Sequence, residues 1–426
     1  MKSYVLILTA LIALFQIGIS QNEKPPNILL IVADDLGYEK LGCYGGMEVQ
    51  TPNLDRLAAS GVQFARAYTS PVCTPSRMSL YTGQYAHKHG YTTVLPVHEG
   101  SREAVDFDQF TTYAQLLRAA GYHTAVTGKW QLAALEYHPD HCRDAGYASW
   151  CVWQIWKDGA KTKRYWEATY NRDGKIVPID TTTFGPDLMA DYVIEEMKKA
   201  QAKGQPFCIQ HNMVLPHVPI IDTPNDRATH TEPSLDRMVT YLDQIVGKLA
   251  GAVEQLGLSE QTYIIFVGDN GTHAEAPRPT RAGLVHGGKW QLNEGGMHVP
   301  LIVAGPKTIA GTTIDELVDM TDLFPTICDL AEVQLPKQLG NSGFSFRLAL
   351  TDKAVNKRRW VTGAIGNDFA VFDGQWRLHH QKERLFDCRH LPEERAADLN
   401  DAAAQAAKAR LMPVLDSLRA ESGHLH

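Results

Sequence analysis

NILLIVADD, residues Asn27 to Asp35, is the stretch from which the rest of the chain can be read. It runs uncharged through Ile, Leu and Val and then stops at two aspartates. An apolar run of this length without polar alternation is a strand buried on both faces, and the aspartates mark its carboxyl end. A second such run, TYIIFVG from Thr262 to Gly268, stops in the same way at Asp269 and Asn270. Between the two, helical patterns alternate with short apolar runs. QLLRAAGY precedes HTAVTGK, LMADYVIEEMKKA precedes PFCIQHNMV, and LDRMVTYLDQIVGKLAGAVEQLG leads into the second run. This alternation predicts an α/β fold, a large and mostly parallel sheet flanked by helices on both faces. HVPLIVAG, from His298 to Gly305, predicts a further strand, and a helix is expected from about Met320 to Ala331.

Beyond about residue 334 the character changes to shorter, polar and aromatic segments such as GAIGNDFAVFDGQWRLHH and RLFDCRH, which read as hairpins with a turn at Asp373-Gly374. An Ala-rich amphipathic helix is expected near Asp401 to Ala420. The expected organisation is a leader over 1–20, a large α/β domain over 21–334 and a smaller C-terminal α+β subdomain over 335–426, built of a small antiparallel sheet plus a helix. There is no internal repeat and no low-complexity stretch.

Composition excludes whole classes. With 44% hydrophobic and 21% charged residues in 426, the chain is neither disordered nor a multi-span membrane protein. Its 48 acidic against 41 basic residues leave a net charge of -7, the opposite of the basic footprint of a nucleic-acid binder, so no nucleic-acid partner is expected. At the start, Lys2 is followed by the apolar run YVLILTALIALF and by Gly18 and Ser20 at signal-peptidase spacing. This predicts a cleaved secretory signal and an exported product, periplasmic or secreted. The run is shorter than a bilayer requires, and no membrane span is expected after cleavage. No cysteine precedes Cys43, which argues against a lipid-modified start. The seven cysteines, at Cys43, Cys73, Cys142, Cys151, Cys208, Cys328 and Cys388, are an odd number and contain no CxxC pair. Cys73 is the expected spare thiol, while Cys142 and Cys151 either close a small loop or stay reduced in the core.

Ligands of open α/β sheets bind beyond the carboxyl ends of the strands, so Asp34, Asp35, Asp269 and Asn270 can aim four oxygen ligands into one crevice. All-oxygen ligation with three carboxylates favours a hard divalent cation, and calcium tolerates an irregular set better than magnesium. The alternative is that DD and DN after a strand are helix caps or turn formers. In PVCTPSRMSLYTG, Pro71 to Gly83, Pro75 suits the first turn of a helix and sets Cys73 at its amino end, where free backbone N–H groups and the dipole favour an anion. Arg77 lies one turn on, facing the same way, with a guanidinium fork matched to tetrahedral oxyanions.

With Cys73 to Gly83 reading Cys-x-Pro-Ser-Arg, four residues, then Thr-Gly, the chain resembles the formylglycine-dependent sulfatases of the alkaline-phosphatase-like superfamily. The resemblance extends through NILLIVADDLG, TGKW at Thr127 to Trp130, LPHVP at Leu215 to Pro219, GDNG, GGKWQLNEGGMHVP from Gly287 to Pro300 and DLFPTICDL at Asp322 to Leu330. It implies that a maturation enzyme oxidises Cys73 to formylglycine, whose hydrate is the nucleophile. It also implies that Asp34, Asp35, Asp269 and Asn270, with an oxygen of the modified Cys73, hold one Ca2+ that lowers the pKa of that hydroxyl. The implied reaction has two steps through a covalent intermediate. Asp269 accepts the nucleophile's proton, Arg77, Lys129 and Lys289 neutralise the sulfate oxygens, His217 protonates the departing alcohol with Lys289 close by, and the second hydroxyl then expels sulfate.

Two positions depart from the family pattern. Gln131 stands where Gly-Lys-Trp-His is usual, and a glutamine can orient substrate but cannot titrate, so the base of the second step is left unassigned. His298 stands where many relatives carry arginine. His87 and His89, just past the helix of Cys73, read as structural. His211, on a predicted strand, reads as a satisfied core histidine. Trp130 and Trp290, each following a candidate lysine, either stack on a sugar or wall the pocket. The expected function is hydrolysis of O-sulfate esters, with a sulfated carbohydrate as substrate on the ground of export. A phosphodiester or phosphonate-ester hydrolase of the same superfamily is the second reading, since the same cations hold phosphate. A non-catalytic sulfoglycan-binding relative is the third, motivated by Gln131 alone. No motif marks the stretches of about Val94 to Asp108 and Tyr137 to Pro178.

Overall fold

The computed structural model describes residues 24–96, 102–273, 276–352 and 358–421; the expected signal segment lies outside them. A ten-stranded sheet forms the centre. Its strands are β1 (Asn27–Ala33), β2 (Val62–Tyr68), β3 (His123–Gly128), β4 (Ser149–Trp153), β5 (Thr169–Arg172), β6 (Lys175–Pro178), β7 (Phe207–Asn212), β8 (Thr262–Gly268), β9 (His298–Ala304) and β10 (Thr312–Asp319). In space they run β10-β2-β9-β8-β1-β7-β3-β4-β5-β6. β8, β1, β7, β3 and β4 are consecutive and parallel, whereas β9 and β5 run against their neighbours. The parallel α/β expectation therefore holds.

The apolar run of β1 is buried along its whole length. Ile28, Leu30 and Val32 enter one core, with α2 (Cys73–Thr82), α3 (Tyr113–Ala119) and α6 (Leu323–Leu330). Leu29, Ile31 and Ala33 enter the other, with α1 (Pro52–Ser60), α4 (Gly185–Ala202) and α5 (Leu235–Gln255). Each such side chain, fully buried, contributes roughly 1.5 to 3 kcal/mol, so a strand lined on both faces belongs at the centre. Helix starts follow local chemistry: Thr112 and Gln115 form a reciprocal capping box on α3, and the Ser234 hydroxyl accepts from Arg237 N at the start of α5.

The C-terminal portion contains a five-stranded antiparallel sheet of β11 (Val361–Ile365), β12 (Asp368–Phe372), β13 (Trp376–His379), β14 (Leu385–His390) and β15 (Glu393–Ala396), with α7 (Ala402–Glu421) packed on it. The Asp373-Gly374 turn falls where expected, with Gly374 at φ 93°. Phe346, Ala349 and Leu350, which precede this sheet, pack into the core of the large one.

All seven cysteines are free. Cys142 and Cys151 are buried thiols in different cores, on opposite faces of the sheet, so no small disulfide loop forms. Among the described residues no helix is long and apolar enough to cross a membrane.

Candidate active site

Because β8, β1, β7 and β3 are neighbours and parallel, their carboxyl ends share one edge. Ala33 is level with Gly268, while Val32 and Gly128 are both level with Asn212. The next residues along each strand, Asp34-Asp35, Asp269-Asn270 and Lys129, are thereby delivered to one place. Lys129 gets there through Gly128, at φ 95°, where a Cβ would come within 1.7 Å of the Asn212 carbonyl oxygen. Lys129 N donates to that same carbonyl. Only glycine fits so close an approach at this φ.

α2 closes the crevice from β2. Cys73 is its first residue and is buried. The Ser76 hydroxyl reaches back to the carbonyls of Ser70 and Val72, pinning the chain into the helix, and Gly83 ends it in the left-handed conformation. The signature thus encodes a helix with both ends fixed and Cys73 at its amino end.

Electrostatics organise the interior. Lys129 Nζ lies 2.6 Å from Asp34 Oδ1, Lys289 Nζ 2.6 Å from Asp35 Oδ2, and Arg77 donates through Nε (2.9 Å) to Asp269 Oδ2. A second Arg77 nitrogen lies 2.8 Å from the same Asp269 oxygen and 3.6 Å from Asp34 Oδ1. Burial opposes charge on Asp34, yet Lys129, His217 and Arg77 hold its carboxyl well below the usual range. On Asp269 burial wins, reinforced by Asp34 and opposed by Arg77, and its carboxyl is pushed up to about 6. Arg77 and Lys289 both stay charged despite burial, Arg77 held by Asp269 and Asp34, Lys289 by Asp35.

His217 enters from the loop after β7, between two cis prolyl bonds. Its Nε2 is 3.3 Å from Lys289 Nζ and 3.6 Å from Asp35 Oδ2. Its Nδ1 is 2.7 Å from the Val218 carbonyl and 3.2 Å from the Arg164 guanidinium. Burial pushes the imidazole down to about 4, with Asp34 pulling the other way, so it is neutral at pH 7 and its Nε2 accepts from the Lys289 ammonium.

Two buried oxygens, Asp34 Oδ2 and Asn270 Oδ1, have no hydrogen-bond donor. Buried acceptors are seldom left unpaired. Asp34, Asp35 and His217 also bring ligand atoms within 4.8 Å of one another. Carboxylate and carboxamide oxygens facing one crevice with free lone pairs fit a hard divalent cation, and the set fits calcium.

The structure therefore brings together Asp34, Asp35, Cys73, Arg77, Lys129, His217, Asp269, Asn270 and Lys289. Gln131 is half-buried at φ 51° and, among the described residues, makes no hydrogen bond to any of them. His298 lies elsewhere, stacked between Tyr38 and Tyr68 and paired with Glu294. His89 braces α2 through Ser79, and His87 contacts Glu421; both are structural. His211 is buried with neither ring nitrogen bonded, so the expectation of a satisfied core histidine is corrected. Trp130 is a core residue that donates to His141 Nδ1, whereas Trp290 is 47% exposed beside Lys289. Sequence reasoning missed Arg164 and Tyr165, which hold the His217 loop through the Val218 carbonyl and through the Val214 and His217 carbonyls respectively. Both sit in the stretch without motifs, and nothing local in the sequence marks them.

The model of the family described as Sulfatase matches residues 26–333. Human arylsulfatase A is 32% identical over 84% of this chain and 75% of that protein. The N-acetylgalactosamine-6-sulfatase of Canis lupus familiaris is 30% identical, over 85% of this chain and 73% of its own length. Among solved structures, Ps i-CgsB superposes with a TM-score of 0.78 at 26% identity, covering 95% of this chain and 94% of that one. The same protein has been solved in complex with k-i-k-neocarrahexaose.

Proposed function

This chain belongs to the sulfatase family and hydrolyses sulfuric esters, and on that premise we propose that it is an exported, calcium-dependent carbohydrate sulfatase whose nucleophile is made from Cys73. The observation that carries this reading is the junction of Cys73 at a helix start with three buried cations and two unpaired buried oxygens. The carbohydrate substrate is supported by the named substrate of the N-acetylgalactosamine-6-sulfatase relatives and by the oligosaccharide bound to Ps i-CgsB. Export is supported by the signal-like segment over 1–20.

A maturation enzyme converts Cys73 to formylglycine; Asp34, Asp35, Asp269, Asn270 and residue 73 would hold calcium, which when bound would supply a positive field that favours the ionised nucleophile. Arg77, Lys129 and Lys289 orient the sulfate and offset the charge that builds on its oxygens. Asp269 takes the proton released by residue 73. The Lys289 ammonium, 3.3 Å away, gives a proton to His217 Nε2, which passes it to the departing alcohol. Gln131 orients substrate without exchanging protons.

Mass spectrometry of the peptide bearing Cys73, from protein produced beside a maturing enzyme, tests the nucleophile, and sulfate release from sulfated sugars tests the reaction. An aldehyde at residue 73 with release of sulfate is the expected result. An unmodified thiol in active protein would refute the assignment.

A further inference from the structure

Arg164, 3.2 Å from His217 Nδ1, also lines a cavity of about 470 Å3. Trp153, Trp166 and Pro219 form apolar walls, and Lys161, Lys163 and Arg164 line it as well. The three cations are not equivalent. Lys163 is neutralised by Glu167, whereas Lys161 and Arg164 have no carboxylate partner among the described residues.

Arg164 is held in place. It donates to the Val218 carbonyl, lies 3.2 Å from His217 Nδ1, and packs over Trp153 (4.9 Å) and Tyr165 (5.4 Å). A guanidinium fixed in this way retains donors for a second acceptor at little entropic cost. Lys161 is exposed on the same wall. Its ammonium pKa is lowered by partial desolvation and then by the positive charges of Arg164 and Lys129. Aromatic faces with a few fixed donors are how a mostly apolar pocket holds a sugar, and two cations without counter-charge call for an anion.

We propose that this cavity is a second anion subsite, which binds a further acidic group carried by the sugar that bears the scissile sulfate or by the sugar linked to it. A uronic carboxylate and a second sulfate ester share the required chemistry. The inference rests on the sulfatase reading above, because the departing alcohol must lie at His217.

The test separates the two. In a Cys73→Ala protein, which binds without turnover, calorimetry compares monosulfated galactose and N-acetylgalactosamine with their disulfated forms and with the same monosulfated sugars linked to a uronic acid. At least one acidic series is expected to bind about tenfold or more tighter, and whichever does identifies the acidic group. Adding Lys161→Met, at an exposed position that leaves the core intact, is expected to remove that preference, while Lys163→Met keeps it. Equal affinities across the series, or a preference that survives Lys161→Met, would overturn the subsite. Wild-type protein carrying formylglycine that releases sulfate from none of these sugars would count against the sulfatase reading, and the affinity comparison would still decide the subsite.

Discussion

Asp34 Oδ2 and Asn270 Oδ1 are buried acceptors with no donor, and each such group costs about 1 to 3 kcal/mol when left unpaired. Chelation of divalent metal is therefore expected to abolish sulfate release and to lower the melting temperature, with calcium restoring both. A melting curve indifferent to chelator and to added calcium would contradict the ligand assignment. Arg77 is a second informative residue, since its guanidinium spans Asp269 and Asp34 at once. Lysine keeps the charge but cannot fork between two carboxylates. Arg77→Lys is expected to lower kcat by about a hundredfold or more, the scale of losing one preorganised donor, with an unchanged circular dichroism spectrum. Near-wild-type kcat would remove Arg77 from the sulfate cradle.

Among the elements, β3 shows how a strand end aims a side chain. Gly128 is level with Asn212, and the Asn212 carbonyl occupies the space a Cβ would need. Gly128→Ala must displace the end of β3 or of β7, and Lys129 with it. The expected result is a loss of at least about 1 to 3 kcal/mol in urea unfolding, together with a fall in kcat/KM. If stability drops while kcat/KM holds, Lys129 is not positioned by this contact. α2 was legible from its signature because Ser76 and Gly83, which fix its two ends, lie within the motif. The His217 loop was legible only as LPHVP, since Arg164 and Tyr165 bond it from 49 to 54 residues away.

The whole molecule joins its two larger sheets through a buried ionic cluster. Arg377 on β13 faces Glu294 and Glu394, and Glu294 also pairs with His298 at the start of β9. Glu294 lies just beyond Lys289 in sequence, so this cluster ties the C-terminal sheet to the loop that supplies a site cation. Removing one member of a buried ionic cluster leaves an uncompensated charge, worth about 3 to 5 kcal/mol. Arg377→Met is expected to lower the unfolding midpoint accordingly; a change below about 1 kcal/mol would mean that the sheets are joined by packing alone. Acid stability is also a property of the whole fold. Burial pushes His141 down to about 4 and His89 and His211 to about 3, from an ordinary 6.5. The unfolded chain thus takes up protons first as pH falls. Their contribution is complete above pH 6.5 and is lost progressively towards pH 4 to 3, at about 1.4 kcal/mol per pH unit for each histidine. Urea unfolding at pH 7 and pH 5.5 checks the sign, and equal stability at both would refute it.

The sequence by itself determined the central strands, their carboxyl ends and the helix of Cys73. Strand burial, abrupt termination and helix capping are written in neighbouring residues, and parallel neighbours must present their ends on one edge. It also named every oxygen and cation that the structure gathers at that edge, since each lies within a short motif. Only the tertiary structure decided between Trp130 and Trp290, one buried against His141 and the other exposed at Lys289. It alone left both nitrogens of His211 unbonded, left Cys142 and Cys151 reduced on opposite faces of the sheet, and brought Arg164 to His217. These outcomes depend on which side of a strand faces which packed layer and on contacts across long separations, and neither leaves a period or a spacing in the chain to be read.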